Sequence, residues 1–497
     1  MVLHPLILLT TYNKYYYLKV TKIKNITLVE ANGGLWKPGV FTRHSSFESL
    51  ALEYIGAVLK QEGYNVKILQ QKNKPINGFL QNILTTKPDL VGFSTMTYNF
   101  PLSKSLANII KENNNIPIVF GGVHISSHPE SIDDKAIDYG VVGEGEYTFR
   151  DLVKALDNGQ DPRKIKGIVY WDDGVKFTGL RERIEDLDEL PFPLREKESL
   201  KDTIINSVMN PSRSDQKAVD SIAYSRGCPY GCSYCASKNI WGKTVKWRSA
   251  KNVVEEIKEL QKQFGTNTLF FTDLTFNLDS EKVYELCNEL KNQKVNINWD
   301  AMLRIADPNG RPLVNRKLLE IMKNAGCSKV SYGIEAVVPE IQNNYNKPLN
   351  LEGIKEILEI GDSIGLINKG YFIIGDPKIE SKETLERTKK IILELPLDDI
   401  RISFLTPFPG TNLYEQYKDE DRIISNDFAK YSSDEPILKL DNLSRDELIE
   451  RQREIFEEFY QNPNYKKRME SKIRKFPNLR KSYDEFLDFL EQKGVLK

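Results

Sequence analysis

Between residues 25 and 425, short apolar runs rich in β-branched and aromatic residues alternate with amphipathic stretches several helical turns long. This alternation constrains the fold most. Successive parallel strands need a crossover, and a helix is the compact way to make one. Ile26-Thr27-Leu28-Val29, Val66-Lys67-Ile68-Leu69, Leu90-Val91-Gly92-Phe93, Ile118-Val119-Phe120 and Tyr139-Gly140-Val141-Val142 predict the strands of a first unit. Ser46 to Glu62 predicts a helix with Leu52, Ile55 and Leu59 on one face and Gly63 at its end. The expected result is a doubly wound, Rossmann-like α/β domain that binds ligands at the carboxyl ends of its strands.

The alternation resumes at Ser221. Strands are expected at Ile222–Ser225, Thr268–Thr272, Asn296–Trp299, Lys329–Gly333, Tyr371–Ile374 and Ile400–Phe404. The first crossover helix starts near Ser249, aligns Val253, Ile257, Leu260 and Phe264, and stops at Gly265. Six such units predict a partial (β/α)6 TIM-type barrel with its chemistry on the carboxyl-end loops. The chain then divides into a Tyr- and Lys-rich lead-in (1–24), the first α/β domain (25–155), a connector (156–219), the barrel (220–425) and a small helical region (426–497). The connector holds a hairpin-like Val169–Lys176, the stiff Leu190-Pro191-Phe192-Pro193 and a polar loop, Asn210–Gln216. In the last region, Ser444-Arg445-Asp446-Glu447 fits a capping box and Tyr483, Phe486, Leu487 and Leu490 mark a final helix, while the charge-rich Tyr465–Lys475 reads as a solvated face.

Lysine plus arginine equals aspartate plus glutamate, 70 each, so no net charge steers the chain to nucleic acid or to an acidic membrane. No run reaches the roughly eighteen apolar residues of a membrane span. A reducing, cytoplasmic setting without a transmembrane segment is expected, because five cysteines in 497 residues do not make a secreted disulfide scaffold.

Chemistry concentrates in Cys228-Pro229-Tyr230-Gly231-Cys232-Ser233-Tyr234-Cys235, directly after the first barrel strand. Three closely spaced thiolates can hold three corners of a [4Fe–4S] cube and leave one iron open. Zinc is the alternative, and it would need a fourth Cys or His, or a carboxylate. The histidines, His4, His44, His124 and His128, lie far upstream, and Cys287 and Cys327 are isolated. With Tyr234 before the third cysteine, the loop resembles that of the radical S-adenosylmethionine (SAM) enzymes. The resemblance implies a cluster on Cys228, Cys232 and Cys235, SAM on the open iron, and sensitivity to oxygen. It also implies a reducing partner such as flavodoxin or ferredoxin.

Later segments match the same family in order. Phe271–Phe276 implies Asp273 as acceptor for the SAM amine. Asn298–Arg304 implies Arg304 as partner of the SAM carboxylate, and Gly333-Ile334-Glu335 implies Glu335 as a SAM-facing acid. Pro407-Phe408-Pro409-Gly410-Thr411 resembles the PxPGT turn of one subgroup. Two places depart from the pattern: Ala336 stands where a serine is usual, and Gly375-Asp376-Pro377-Lys378-Ile379-Glu380 lacks a second glycine.

In the first domain, Ser94-Thr95-Met96 and Gly121-Gly122 resemble the S-x-L and GG signatures of cobalamin-binding domains. Gly143-Glu144-Gly145-Glu146 resembles the GEGE that closes such domains in cobalamin-linked radical SAM proteins. The stretch Glu30–Leu35 lacks the histidine of the D-x-H-x-x-G motif, so a cobalt without a histidine from this motif is implied; His44 reads as an ordinary loop residue. The resemblance covers residues 25–420. It implies a methyltransferase acting on an unactivated carbon or on phosphorus, with methyl from cobalamin and a 5′-deoxyadenosyl radical from SAM. The alternatives are an oxidative cyclase or ring-rearranging enzyme with the same cofactors, and a binding protein that uses them as a sensor. The substrate stays open among small molecule, lipid and peptide.

Overall fold

A computed structural model describes residues 22–31, 49–71, 75–114, 116–132, 136–196, 219–492 and 494. Most of the lead-in, Asn32–Leu35, His44 and the Asn210–Gln216 loop lie outside these residues.

The strands run in chain order as β1 (Asn25–Glu30), β2 (Asn65–Gln70), β3 (Leu90–Ser94), β4 (Ile118–Gly121), β5 (Tyr139–Val141), β6 (Ile168–Trp171) and β7 (Val175–Phe177) in a first sheet of order β2-β1-β3-β4-β5-β6-β7. The first five are parallel and the last two antiparallel. The order reverses between β1 and β3, which opens a crevice at their carboxyl ends. The hairpin expected in the connector therefore extends the first sheet. Helix Leu50–Gln61 replaces the longer expectation.

The second sheet follows, with β8 (Val219–Ile222), the short pair β9 (Ser225–Arg226) and β10 (Lys246–Trp247), then β11 (Thr268–Phe271), β12 (Asn298–Leu303), β13 (Cys327–Glu335), β14 (Ile367–Ile374) and β15 (Asp399–Phe404). β8 and β11–β15 form a six-stranded parallel sheet of order β15-β14-β13-β12-β11-β8. Helix Ala250–Phe264 begins as read, with Ser249 accepting from the Asn252 amide, and ends at Gly265 in the left-handed region.

An open barrel leaves two strand edges, and exposed edges are templates for unwanted pairing. Side chains close both. Arg195 of the connector donates to Ser221 O at the β8 edge (2.7 Å). At the β15 edge the Ile400 amide donates to the Tyr460 hydroxyl (3.2 Å) and Gln452 donates to Ile402 O (2.8 Å). Tyr460 and Gln452 belong to helix Arg445–Gln461, which opens on the expected Ser444/Glu447 capping box. Its Ile455, Phe456 and Phe459 join Met469, Ile473, Tyr483 and Phe486 in the same apolar core as the outer faces of the barrel strands.

The stretch Tyr465–Lys475 is a solvated face only in part: Lys466, Lys467, Ser471, Arg474 and Lys475 are exposed, but the opposite face is buried. In helix Pro463–Lys475, Lys472 is buried and lies 2.6 Å from Asp398, and Arg468 lies 2.7 Å from the same carboxylate. Asp398 immediately precedes β15, so this helix is fixed to the amino end of the sheet.

Candidate functional site

β9 hands the chain to Gly227, whose φ is +111. A Cβ there would stand 2.4 Å from Thr244 O, so only glycine permits this approach. Cys228, Cys232 and Cys235 follow, all half-buried and free. Neighbouring loops set the shape of the cysteine loop. The Ser233 amide donates to Tyr345 O (3.2 Å), its hydroxyl to Asn344 O (2.7 Å), and Asn346 donates to Gly231 O (3.1 Å). The Leu413 amide, just past the PFPGT turn, donates to Ser233 O (3.2 Å). Burial pushes the Cys235 thiol up, and the neighbouring Cys232 and Cys228 thiols add to it. Among the described residues no three Cys, His, Asp or Glu side chains converge as ligands of a single ion.

Arg304, at the carboxyl end of β12, reaches this loop. Its Nη1 donates to Cys232 Sγ (3.4 Å), its Nε to Ala306 O (2.7 Å), and the guanidinium lies 4.0 Å over the Tyr230 ring. Its Nη2 is buried with no hydrogen-bond partner. An orphaned donor on a buried cation is costly. An anionic group beside Cys232 would satisfy it, so Arg304 fits a cluster-bound carboxylate.

Asp273 follows β11 and is fully buried. One carboxylate oxygen accepts from the Ser225 amide (2.6 Å) and hydroxyl, the other from the Tyr224 amide (3.0 Å). Burial raises its pKa to about 6 against these hydrogen bonds. Asp273 thus grips the root of the cysteine loop. Glu335 ends β13 at a bulge with φ +61, an unusual conformation for a residue with a side chain. Its carboxylate meets Lys347 Nζ at 2.9 Å, and a Cβ on Gly333 would crowd both groups, at 2.7 and 2.8 Å. Tyr234 packs edge-on against Tyr345, ring centroids 5.4 Å apart, and burial holds its phenol neutral. At the departing loop, Glu380 takes the Gly375 amide (2.9 Å), and Asp376 takes Lys378 N and Ile379 N (3.1 Å each).

In the first domain, Ser94 is in register with Gly121. The Thr95 amide and hydroxyl both donate to Gly121 O (2.8 Å). Gly122 has φ +98, and a Cβ on it would stand 2.5 Å from Thr95 O. A Cβ on Gly121 would meet nothing closer than 3.7 Å, and Met96 is 49 % exposed. Ser94, Thr95, Gly121 and Gly122 are small residues brought together at this carboxyl end, with Met96 exposed beside them, an arrangement that fits a bulky flat ligand. Gly143 joins this edge by donating its amide to Ser126 Oγ (3.0 Å). The Glu144 carboxylate lies against Arg183 (3.3 Å), the Ile184 amide (3.0 Å) and Arg226 (3.2 Å). His124 is buried between Ser131 (2.9 Å) and Thr97 (3.3 Å), and burial lowers its pKa to about 3, so it is neutral.

The carboxyl ends of the two sheets are tied together. Asn239, just past the cysteine loop, donates to Ser127 Oγ of the first domain (3.0 Å) and to Gly410 O of the PFPGT turn (3.2 Å). Phe428, beyond the barrel, packs on His124, ring centroids 4.9 Å apart. Asn239, Arg183, Arg226 and Lys347 were not read from the sequence as site residues. Only Arg226 carried a signal, as a charge at the end of an apolar strand two residues before Cys228.

Residues 36–153 match the B12 binding domain and residues 222–419 the Radical SAM superfamily. An uncharacterized methyltransferase of Pyrococcus horikoshii is 29% identical over 420 residues, covering 83% of this chain and 88% of that one. The anaerobic magnesium-protoporphyrin IX monomethyl ester cyclase of Rubrivivax gelatinosus is 30% identical over 422 residues, covering 82% of this chain and 73% of that one. The chain belongs to the radical SAM enzymes that carry a B12-binding domain. The fold of these radical SAM enzymes is also that of the methyltransferase TsrM from Kitasatospora setae, solved with cobalamin and a [4Fe-4S] cluster, at a TM-score of 0.65 and 18% identity over 80% of this chain and 75% of that one. Among the described residues no helix is long and apolar enough to cross a membrane.

Proposed function

We propose that this chain is a cobalamin-dependent radical SAM methyltransferase acting on an unactivated carbon or phosphorus centre. The observation that carries the reading is Arg304, which bonds Cys232 while holding an unsatisfied buried donor beside it. When bound, the cluster with SAM supplies a 5′-deoxyadenosyl radical and cobalamin supplies a transferable methyl group.

The chain's own residues hold these groups in place. Cys228, Cys232 and Cys235 ligate the cluster, and Arg304 neutralises the SAM carboxylate. Glu335, braced by Lys347, faces the nucleotide, and Tyr234 packs behind the loop and keeps water from it. Asp273, expected as acceptor for the SAM amine, has both oxygens engaged by Ser225 and Tyr224 and fixes the loop's root instead. Ser94, Thr95, Met96, Gly121 and Gly122 form the cobalamin floor. The Asn239 tie keeps the two carboxyl ends facing each other, as transfer between the two cofactors requires.

No histidine follows His128, so any proton transfer in the barrel falls to Tyr, Lys, Asp or Glu. The free cysteines fit a reducing compartment such as the cytoplasm, with flavodoxin or ferredoxin as electron source. The similarity to a cyclase supports a second reading, oxidative ring chemistry on the same cofactors.

Product analysis separates the two. With reductant, SAM, cobalamin and a turned-over substrate, the methyltransferase releases S-adenosylhomocysteine alongside 5′-deoxyadenosine. 5′-Deoxyadenosine alone would favour the cyclase reading, and neither product would contradict both.

A further inference from the structure

The stretch Gly143-Glu144-Gly145-Glu146 lies where the first domain, the connector and the barrel meet. Glu144 Oε1 is 3.2 Å from Arg226 Nη1, and Glu146 Oε1 is 2.7 Å from Arg226 Nη2. Two carboxylates thus divide the two terminal nitrogens of one guanidinium, a fork that a lysine ammonium cannot reproduce. All three side chains are under a tenth exposed.

The other oxygen of Glu144 accepts from the Ile184 amide and faces Arg183 Nε. Arg183 in turn donates to the carbonyls of Trp241, Thr244 and Arg226. The Arg226 guanidinium lies against the rings of Tyr54 (4.7 Å) and Trp241 (5.5 Å). Both oxygens of Glu144 are engaged, and what they hold is the root of the cysteine loop. Arg226 stands two residues before Cys228, and Gly227 between them is packed against the Thr244 carbonyl that Arg183 grips. The two carboxylates and two guanidiniums balance in charge, so loss of one member leaves a buried charge uncompensated.

We infer that Glu144 and Glu146 form a clasp on Arg226, so that these two side chains position the cluster loop across the domain boundary and are not cobalamin contacts. The inference rests on the cofactors proposed above. Glu144, Glu146 and Arg226 are positioning residues: they act through the backbone that carries Cys228.

The test uses the full chain, reconstituted without air and loaded with cobalamin. E144Q and E146Q are compared with the native chain in cobalamin affinity by visible absorbance, in iron retained against a chelator, and in the EPR spectrum of the reduced cluster. The clasp predicts a cobalamin Kd within about twofold of native, with iron retention lowered about tenfold and the EPR signal displaced. R226K, which keeps the charge but cannot span both carboxylates, should show the same iron loss. Adding E146Q to R226K should then cost little more, as expected for one coupled unit. A loss of cobalamin affinity of about tenfold with unaltered iron and EPR signal overturns the inference. Should E146Q fail to fold, E146D replaces it under the same criteria. A native chain that takes up no cluster or no cobalamin overturns the cofactors themselves, and the native control keeps that outcome separate.

Discussion

Asp273 holds a carboxylate where water does not reach, and its hydrogen bonds only partly offset that burial. Its folded pKa, about 6, lies above the ordinary carboxylate value of 3.8. The folded state therefore favours the protonated form, and the group's contribution to stability is present below about pH 4 and lost as pH rises through about 6. Asp220 is raised to about 6 in the same window, chiefly by burial against the pull of Arg195, so the informative quantity is a difference between variants. Chemical denaturation at pH 5 and pH 7 should show a steeper stability loss in the native chain than in D273N. At Gly122, φ +98 and the Thr95 carbonyl predict that G122A loses about 1–3 kcal/mol and weakens cobalamin binding, measured by denaturation and visible titration. These glycines were legible as a signature, and Cys228, Cys232, Cys235 and Arg304 as members of an ordered set. The engagement of Asp273 with the Tyr224 and Ser225 amides was not, because a carboxylate after a strand reads the same whether it faces a ligand or caps its own backbone.

At the scale of elements, period found β14 and β15, where buried residues alternate with half-buried ones, but it misplaced two barrel strands: Ile222–Ser225 was expected where β8 is Val219–Ile222, and Asn296–Trp299 where β12 is Asn298–Leu303. β13 was read short, as Lys329–Gly333, leaving out Cys327 and Ser328 at one end and Ile334 and Glu335 at the other, yet eight of its nine residues are buried. Its amino end is polar because Lys329 pairs with Asp300 inside the barrel (3.5 Å). The hairpin was recognisable as a hairpin, but its place on the β5 edge was not, because a short two-sided strand carries little register information. Helix Pro463–Lys475 gives the clearest correction. Lys466, Lys467, Arg474 and Lys475 are exposed as expected, but Lys472 meets Asp398, whose pKa is lowered because Lys472 and Arg468 outweigh its burial. Removing one partner of a buried pair strands the other. K472A should lose about 3 kcal/mol in urea denaturation while cluster content after reconstitution stays native. A loss of cluster without loss of stability would contradict this placement.

For the whole molecule, two sheets have their carboxyl ends tied through Asn239, and the cysteine loop is held from the barrel by Asp273 and from the first domain through Arg226, which joins the two proposed cofactor sites in one unit. The separate domains could be read from strand–helix alternation. Their mutual fixing could not, since it depends on long-range pairs such as Glu146 with Arg226 that leave no periodic trace. The account stands on the metal centre, and a metal and sulfide count on protein purified without air tests it directly. The native chain should carry about four iron and four sulfide, and C232A should lose both the iron absorbance and all 5′-deoxyadenosine formation. Stoichiometric zinc or no metal in the native chain, or a cluster that survives in C232A, would contradict it.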